Sequence, residues 1–439
     1  MTLNSNPIAG ARPSLFLGLV THRESCRRIN FVIILKPSPQ KGTPMTERAH
    51  EPMTQKLLDL LAANGQLKQL LVRSIAKAAA INPDPITNPA QDLESYLEYL
   101  DWAARALPWQ ISPWTESYSS LYDQIDQGLA YFYFVLDQPL EELEGITSYN
   151  NTLQYLEPLS SWLLEFTRRY GAYLDTPESW CDEYAARVRA DSAFLVDRGD
   201  YEPDENWHTF NEFFCRRLAS EDKRPIVAPG DASYVASPAD SVPQGVWDID
   251  AHNCVLSDHA IVIKSGVLRR IDTLLGPSRY RTAFAGGKLT HAFLNVHDYH
   301  RYHFPVSGVI KEVLSLPGQV AAGGVTLWDS AVERYRLLGD DTSWQSIETR
   351  GLVVVDTEEY GLVACLAVGM SQVSSVNYEP QVMVGAHVKK GDPLGYFLFG
   401  GSDFVMIFQK RANFRLTAPT DGARGWAHLQ AREEYGRLG

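Results

Sequence analysis

From Pro52 to about Ala190, apolar positions recur at helical spacing. Leu57, Leu60, Leu61, Leu67, Leu70 and Leu71 fall three and four residues apart, as one face of an amphipathic helix requires. The run PDPITNP, Pro83 to Pro89, breaks that pattern. LESYLEYLDWAARAL and LSSWLLEFTRRYGAYL follow with similar periods. These leucine and aromatic stripes predict a helix-bundle core, and this half of the chain offers no chemistry. After about Asp200 the texture changes. VLSDHAIVIKSG, AFLNV, GVIKEVLSLPGQV, LVVVDTEEYGLVACLAVG and VMVGAHVKKGDPLGYFLF are short β-branched runs punctuated by glycine and proline. They predict a mostly antiparallel β region. The class is α+β, and no repeat of fixed period is visible.

At 439 residues the chain exceeds what one hydrophobic core usually serves, so two domains are expected. We divide it into a leader or disordered tail over 1–50, a helical domain over 51–195 and a β-rich domain over 200–439. The first 50 residues hold two apolar patches, SLFLGLV and FVIIL, and seven basic residues against Glu24 and Glu47. Such a leader reads as a targeting peptide, a tail, or a start placed too early with Met45 or Met53 as the true one; we take it as tail or misplaced start.

Hydrophobic content of 45% and charge of 21% are ordinary for a soluble globular protein. A net charge of −13 argues against nucleic acid as a partner and supplies no overall attraction to anionic lipid. The five cysteines are scattered, with no CxxC pair, so five reduced thiols in a cytoplasmic protein are expected. The longest apolar run, LAYFYFVL, has eight residues. A helix needs about 20 to cross a bilayer.

Four segments of the β-rich half can carry chemistry. FNEFFCRRL puts Phe210, Phe213 and Phe214 on one helical face, with Arg216 and Arg217 beyond; alone it is a docking helix. SPADS sets Asp240 in a turn context. HDYHRYHFP spaces His297, His300 and His303 by three, one face of a helix. No fourth ligand is evident, so a neutral-pH acid or base is expected there rather than a metal. The fourth segment, YFLFGGSDFVMIF, places two glycines before Ser402 inside a strand-like run. It is not the Gly-x-Ser-x-Gly elbow of esterases, because position 404 is Phe404. With no side chain at Gly401, the serine hydroxyl can instead reach the carbonyl carbon of its own preceding peptide bond. Attack there gives an N-to-O acyl shift. Elimination then leaves dehydroalanine, and hydrolysis yields a pyruvoyl group, an electron sink able to take an amine as a Schiff base.

Together these segments resemble the phosphatidylserine decarboxylase family of pyruvoyl enzymes, over roughly Trp207 to Phe408. FNEFFCRRL is similar to the family's F-x-E-F-F-x-R-x-L, SPAD to its P-A-D-G turn, DYHRYHFP to D-Y-H-R-x-H-x-P, and VKKGDPLGYFLFGGS to its cleavage-site pattern. PGQV and VGMSQVSSV sit where the family has similar strands. The resemblance implies a self-processing zymogen in which Gly401 supplies the scissile carbonyl and Ser402 becomes the pyruvoyl cofactor. It implies that Asp240 and His303 are the carboxylate and base of the cleavage relay, with His300 a second essential histidine; which histidine does which job stays open. Three positions depart from the pattern: Ser241 for glycine, IKSGVLRRIDTLL without the usual tyrosine-serine-leucine, and Asp403 for serine or threonine.

A helical domain in place of the usual N-terminal anchor, with FLNV and FGGS, resembles the family's soluble tryptophan-decarboxylase branch. That branch implies a free, aromatic amino acid as substrate, with phosphatidylserine the alternative. The partners expected are the cleaved C-terminal fragment, a homo-oligomer and peripheral membrane contact at most, while the acidic charge and the missing fourth ligand argue against nucleic acid and metal. A different class, a non-catalytic lipoyl- or biotinyl-like module suggested by GAHVKKGDPLGYF, or an uncleaved homologue, would stay whole on a gel.

Overall fold

The computed structural model describes residues 49–439 except 148–150, 257–261, 264–265, 268–269, 320–322, 339–343, 371–374 and 423–424. The leader assigned to 1–50 therefore lies almost wholly outside the described residues. So do parts of VLSDHAIVIKSG, IKSGVLRRIDTLL, PGQV and VGMSQVSSV.

The leucine periodicity forms the helices Pro52–Ala63 and Gly65–Ile81. Asn64 divides them, and its side chain accepts from the Leu67 amide to start the second. Leu57, Leu61, Leu67, Leu70 and Leu71 are buried. The proline-rich break holds no helix, and Asp92 and Ser95 form a capping box that begins Leu93–Ala103. Leu121–Phe134, Leu159–Leu174 and Asp182–Ala190 complete the long helices. Among the described residues no helix is long and apolar enough to cross a membrane. Cys181 is disulfide-bonded, which corrects the expectation of five reduced thiols; sequence spacing carries no signal for such a pairing.

The β-rich region is built on a seven-stranded antiparallel sheet. Its order is His387–Val388, Gly308–Leu316, Thr349–Asp356, Leu362–Met370, Gly401–Phe408, Lys288–Leu294 and Val242–Asp248. The strand Gly401–Phe408 lies inside this sheet, with Ser402 opposite Gly369 on one neighbour and Leu294 on the other. Successive side chains alternate between faces. Phe404, Met406 and Phe408 join the core that also holds the helices, while Val405 and Ile407 join a second core on the other face. Ser402 takes the side of Phe404, facing the helical region.

Because both faces are apolar, hydrophobicity alone does not choose the register. Asp403 does. Fully buried on the second face, it accepts hydrogen bonds from His291 Nδ1 at 2.9 Å and Gln345 Nε2 at 3.1 Å. A one-residue slip would carry this carboxylate away from both donors, at a cost of several kcal/mol for a buried charge.

A hairpin, Val325–Asp329 with Arg334–Leu338, reaches from the β region into the helices. Tyr335 at its core is buried against Phe134 and Tyr131, and its hydroxyl meets Asn82 Nδ2 at 2.8 Å. Asp137 accepts the Thr326 amide at 2.7 Å, and burial pushes its carboxyl up to about 8.

Candidate active site

Ser402 is fully buried, and its Oγ lies 3.4 Å from His300 Nδ1. Gly400, two residues before it, has φ +146°, a conformation that side chains disfavour, so the glycine pair has a backbone reason at that position. His300 is itself fully buried. Its Nε2 faces the Asn295 carbonyl at 3.0 Å and must donate, which leaves the Nδ1 lone pair toward Ser402. Burial lowers the His300 pKa to about 3, so the imidazole is neutral at ordinary pH and its Nδ1 carries no proton.

The segment FNEFFCRRL, read alone as a docking helix, builds this site. Thr209 and Glu212 cap the short helix Phe210–Phe214 reciprocally. Phe214 stacks on His300 with ring centroids 3.8 Å apart. The buried Arg216 donates to the carbonyls of His297 and Asp298 at 2.8 and 3.0 Å, and the Tyr201 ring covers its guanidinium at 4.3 Å. Asn211 joins the loop before Ser402 to the helices: its Oδ1 accepts the Phe399 amide at 3.0 Å and its Nδ2 donates to Asp175 at 2.8 Å. Phe399 packs between Phe210, Phe214 and Tyr170. The FNEFFCRRL segment thus holds the histidine, and with Tyr170 and Asp175 of the helical region it holds the loop before the serine.

The histidine segment is no helix. Arg301–His303 is a short strand paired with Pro393–Phe397, so side chains there alternate and a spacing of three reverses direction. His300 turns to Ser402. His303 turns to the other side, where its Nδ1 faces the Gly391 carbonyl at 3.0 Å. Its Nε2 has no partner, and burial, aided by the Arg432 charge, lowers its pKa to about 3. His303 lines a cavity of about 350 Å³ with Arg217, Tyr299, Arg301, Glu379 and Arg432. His297, third of the cluster, is half-buried beside Tyr122 and Phe194.

Asp240 is brought to none of these imidazoles by a hydrogen bond. Both its oxygens are held by Arg224, at 3.1 Å to Nε and 2.8 Å to Nη2, and Oδ1 also accepts the Ala431 amide at 2.7 Å. The SPADS turn still meets the histidine strand, because the His303 amide donates to the Pro238 carbonyl at 2.7 Å. The structure therefore brings together Ser402, Gly401 and His300, and keeps Asp240 and His303 behind them. Sequence reasoning missed Arg224 and His428. Arg224 sits in EDKRPI and His428 in GWAHLQ, where no spacing marks either. His428 Nε2 meets Asp298 Oδ1 at 2.8 Å. Burial opposes its charge, but Asp298 outweighs burial and raises its pKa.

The residues present suit a pyruvoyl group made in place: a buried serine, a flexible glycine before it and a neutral imidazole at its hydroxyl. The comparisons point the same way. The phosphatidylserine decarboxylase family model matches residues 210–423. Decarboxylase iboD of Amanita muscaria is 30% identical over 302 residues, covering 63% of this chain and 81% of that protein. Phosphatidylserine decarboxylase proenzyme 3 of Schizosaccharomyces pombe is 34% identical over 207 residues, 47% of this chain and 19% of that protein. The L-tryptophan decarboxylase of Psilocybe cyanescens is 29% identical over 235 residues, 52% of this chain and 51% of that protein. The chain thus spans about a fifth of the length of the second of these relatives and about half that of the third.

Proposed function

Because the chain belongs to the phosphatidylserine decarboxylase family, we propose that it cuts itself between Gly401 and Ser402 and then removes the α-carboxylate of an amino-acid substrate as CO₂. The observation that carries this reading is the buried contact of Ser402 Oγ with the unprotonated Nδ1 of His300. A serine is a poor nucleophile until a base takes its proton. His300 takes it as Oγ bonds to the Gly401 carbonyl carbon, and returns it to the Ser402 nitrogen as the C–N bond breaks. Loss of the Ser402 α-proton then breaks the Cβ–O bond and frees the Gly401 carboxylate. Water releases ammonia from the new terminus.

A pyruvoyl carbonyl at residue 402 supplies the electron sink that lets CO₂ leave an amine-bearing carbon. The chain's own groups do the rest. His300 stays beside the reacting atoms, able to hold or deliver a proton. Phe214 fixes its plane, and the apolar core excludes water, which strengthens each polar contact. Asp240 and Arg224 brace the turn on which the histidine strand rests.

We take a free, aromatic amino acid as the substrate. The similarity to the tryptophan decarboxylase supports this. The Amanita match, whose 63% of the chain exceeds the stretch from 210 to the end, enters the helical region, so a second decarboxylase shares part of that region. Phosphatidylserine is the second reading, favoured by the 34% identity to the Schizosaccharomyces proenzyme. Intact mass spectrometry tests the scheme. Fragments meeting at 401/402, the smaller with a pyruvoyl terminus, are expected, followed by amine production from a panel of amino acids and phosphatidylserine. A single uncut chain with serine at 402 would return the protein to the carrier-like or uncleaved class.

A further inference from the structure

Asp403 stands next to Ser402, where the family pattern has serine or threonine, and its surroundings give that departure a use. Its fully buried carboxylate is held from two elements. His291 Nδ1 donates from the neighbouring strand at 2.9 Å, and Gln345 Nε2 donates from the turn Trp344–Ser346 at 3.1 Å. Both donors are themselves fixed. The His291 ring stacks on Trp247 with centroids 5.3 Å apart, and its backbone carbonyl accepts from the buried Tyr435 hydroxyl at 3.2 Å. Gln345 is buried, and its carbonyl accepts the Glu348 amide at 3.4 Å. These anchors lie on the second face of the sheet, whereas Ser402 Oγ meets His300 on the first.

A cut between Gly401 and Ser402 changes what holds residue 402. In the intact chain it is tethered on both sides and sits in the ladder opposite Gly369 and Leu294. After the cut, and once its nitrogen has left as ammonia, residue 402 ends the chain, lacks an N–H of its own and is tethered through Asp403 alone. Chain ends fray at little cost. A side chain anchored one residue in from the end opposes that fraying, and from the second face it does so without filling the first. We propose that Asp403, His291 and Gln345 form a bracket that pins the new terminus, so that the ketone at 402 stays in place for an incoming amine. All three are positioning residues, since none touches the reacting atoms. The role presupposes the cut at 401/402 and is the same whichever imidazole serves it.

The test uses the full chain after processing, with amide hydrogen exchange read by mass spectrometry over 403–405 and 406–408 separately. Asp403→Asn strands no buried charge but turns an NH₂ toward one of the two donors. His291→Phe keeps a ring to stack on Trp247 but donates nothing. Each speeds exchange over 403–405 about tenfold, the equilibrium change expected when one such hydrogen bond is lost. Exchange over 406–408 stays within about twofold of the natural chain. Both variants cut at about the natural rate, because the intact chain holds Ser402 from both sides. Faster exchange spread evenly over 403–408 means loss of sheet stability and overturns the bracket. Exchange at the natural level overturns it as well. So does a variant that stays uncut, which would make these residues a requirement of the intact chain. A natural chain that never cuts has no new terminus and sinks the processing scheme together with the bracket.

Discussion

Removing the Asp240 carboxylate separates a chemical role for it from a structural one. In Asp240→Ala the guanidinium of Arg224, only 1% exposed, loses two charge-assisted hydrogen bonds, and the Ala431 amide loses its acceptor. Stranding one member of a buried pair costs about 3–5 kcal/mol. An unmet buried amide adds about 1–3 kcal/mol. Asp200, 3.4 Å from Nη1, keeps part of the guanidinium satisfied and pulls the total toward the lower part of that range. We therefore expect a loss of about 3–5 kcal/mol, read by urea unfolding in a Ser402→Ala background where cleavage does not intervene. The pair Arg224→Met with Asp240→Leu removes both charges and should recover all but about 1–2 kcal/mol, because apolar replacement of a whole buried pair is close to neutral. In the Ser402 background that double variant should process again, since the carboxylate acts through the turn beneath His303. A loss under about 1 kcal/mol for Asp240→Ala refutes the energetic argument. A double variant that is stable yet stays uncut refutes the structural one, and makes the carboxylate part of the cleavage relay.

Ser402→Ala should give a single uncut band with no amine product, checked by gel and by product detection. His300→Gln should slow cleavage by about 10²–10⁴, the range general-base catalysis spans, whereas His303→Gln should cleave faster than His300→Gln; a reversed order would move the base to His303. The two buried histidines, each lowered to about 3, should make the fold acid-labile: stability is full above about pH 6.5, where the unfolded chain's imidazoles are neutral, and falls as pH drops toward 3. A melting temperature flat from pH 7 to 4 would contradict this. Asp137 works the opposite way: its carboxyl, raised to about 8, binds a proton that the unfolded chain gives up near pH 4. Stability should therefore decline between those values, and Asp137→Asn should remove that part of the slope.

Much of the fold was legible because its signals are local. The leucine spacing of residues 57–71 reports a buried helical face wherever the helix docks, and GVIKEVLSL and LVACLAVGM read as strands because β-branched runs need no partner to be recognised. The two glycines of FGGSDF carried a legible backbone signal, because the conformation found at Gly400 is one that side chains disfavour. The histidine segment was less legible. Three-residue spacing has opposite meanings on a helix and on a strand, and nothing in HDYHRYHFP decides between them. The pairing of Arg301–His303 with Pro393–Phe397 decides it, and with it which imidazole meets the serine.

The sequence alone determined the kinds of atoms available: a serine after two glycines, a cluster of imidazoles, and apolar periods that assign residues to helix or strand. These follow from covalent structure and nearest neighbours. Burial, which takes the pKa of His300 and His303 to about 3, was decided by the fold. Only the tertiary structure decided which groups meet. Asp240 lies across 16 residues from Arg224, His300 across 102 from Ser402, and Asp298 across 130 from His428. Contacts at such separations arise when a shared core closes the chain on itself, and no local pattern encodes them.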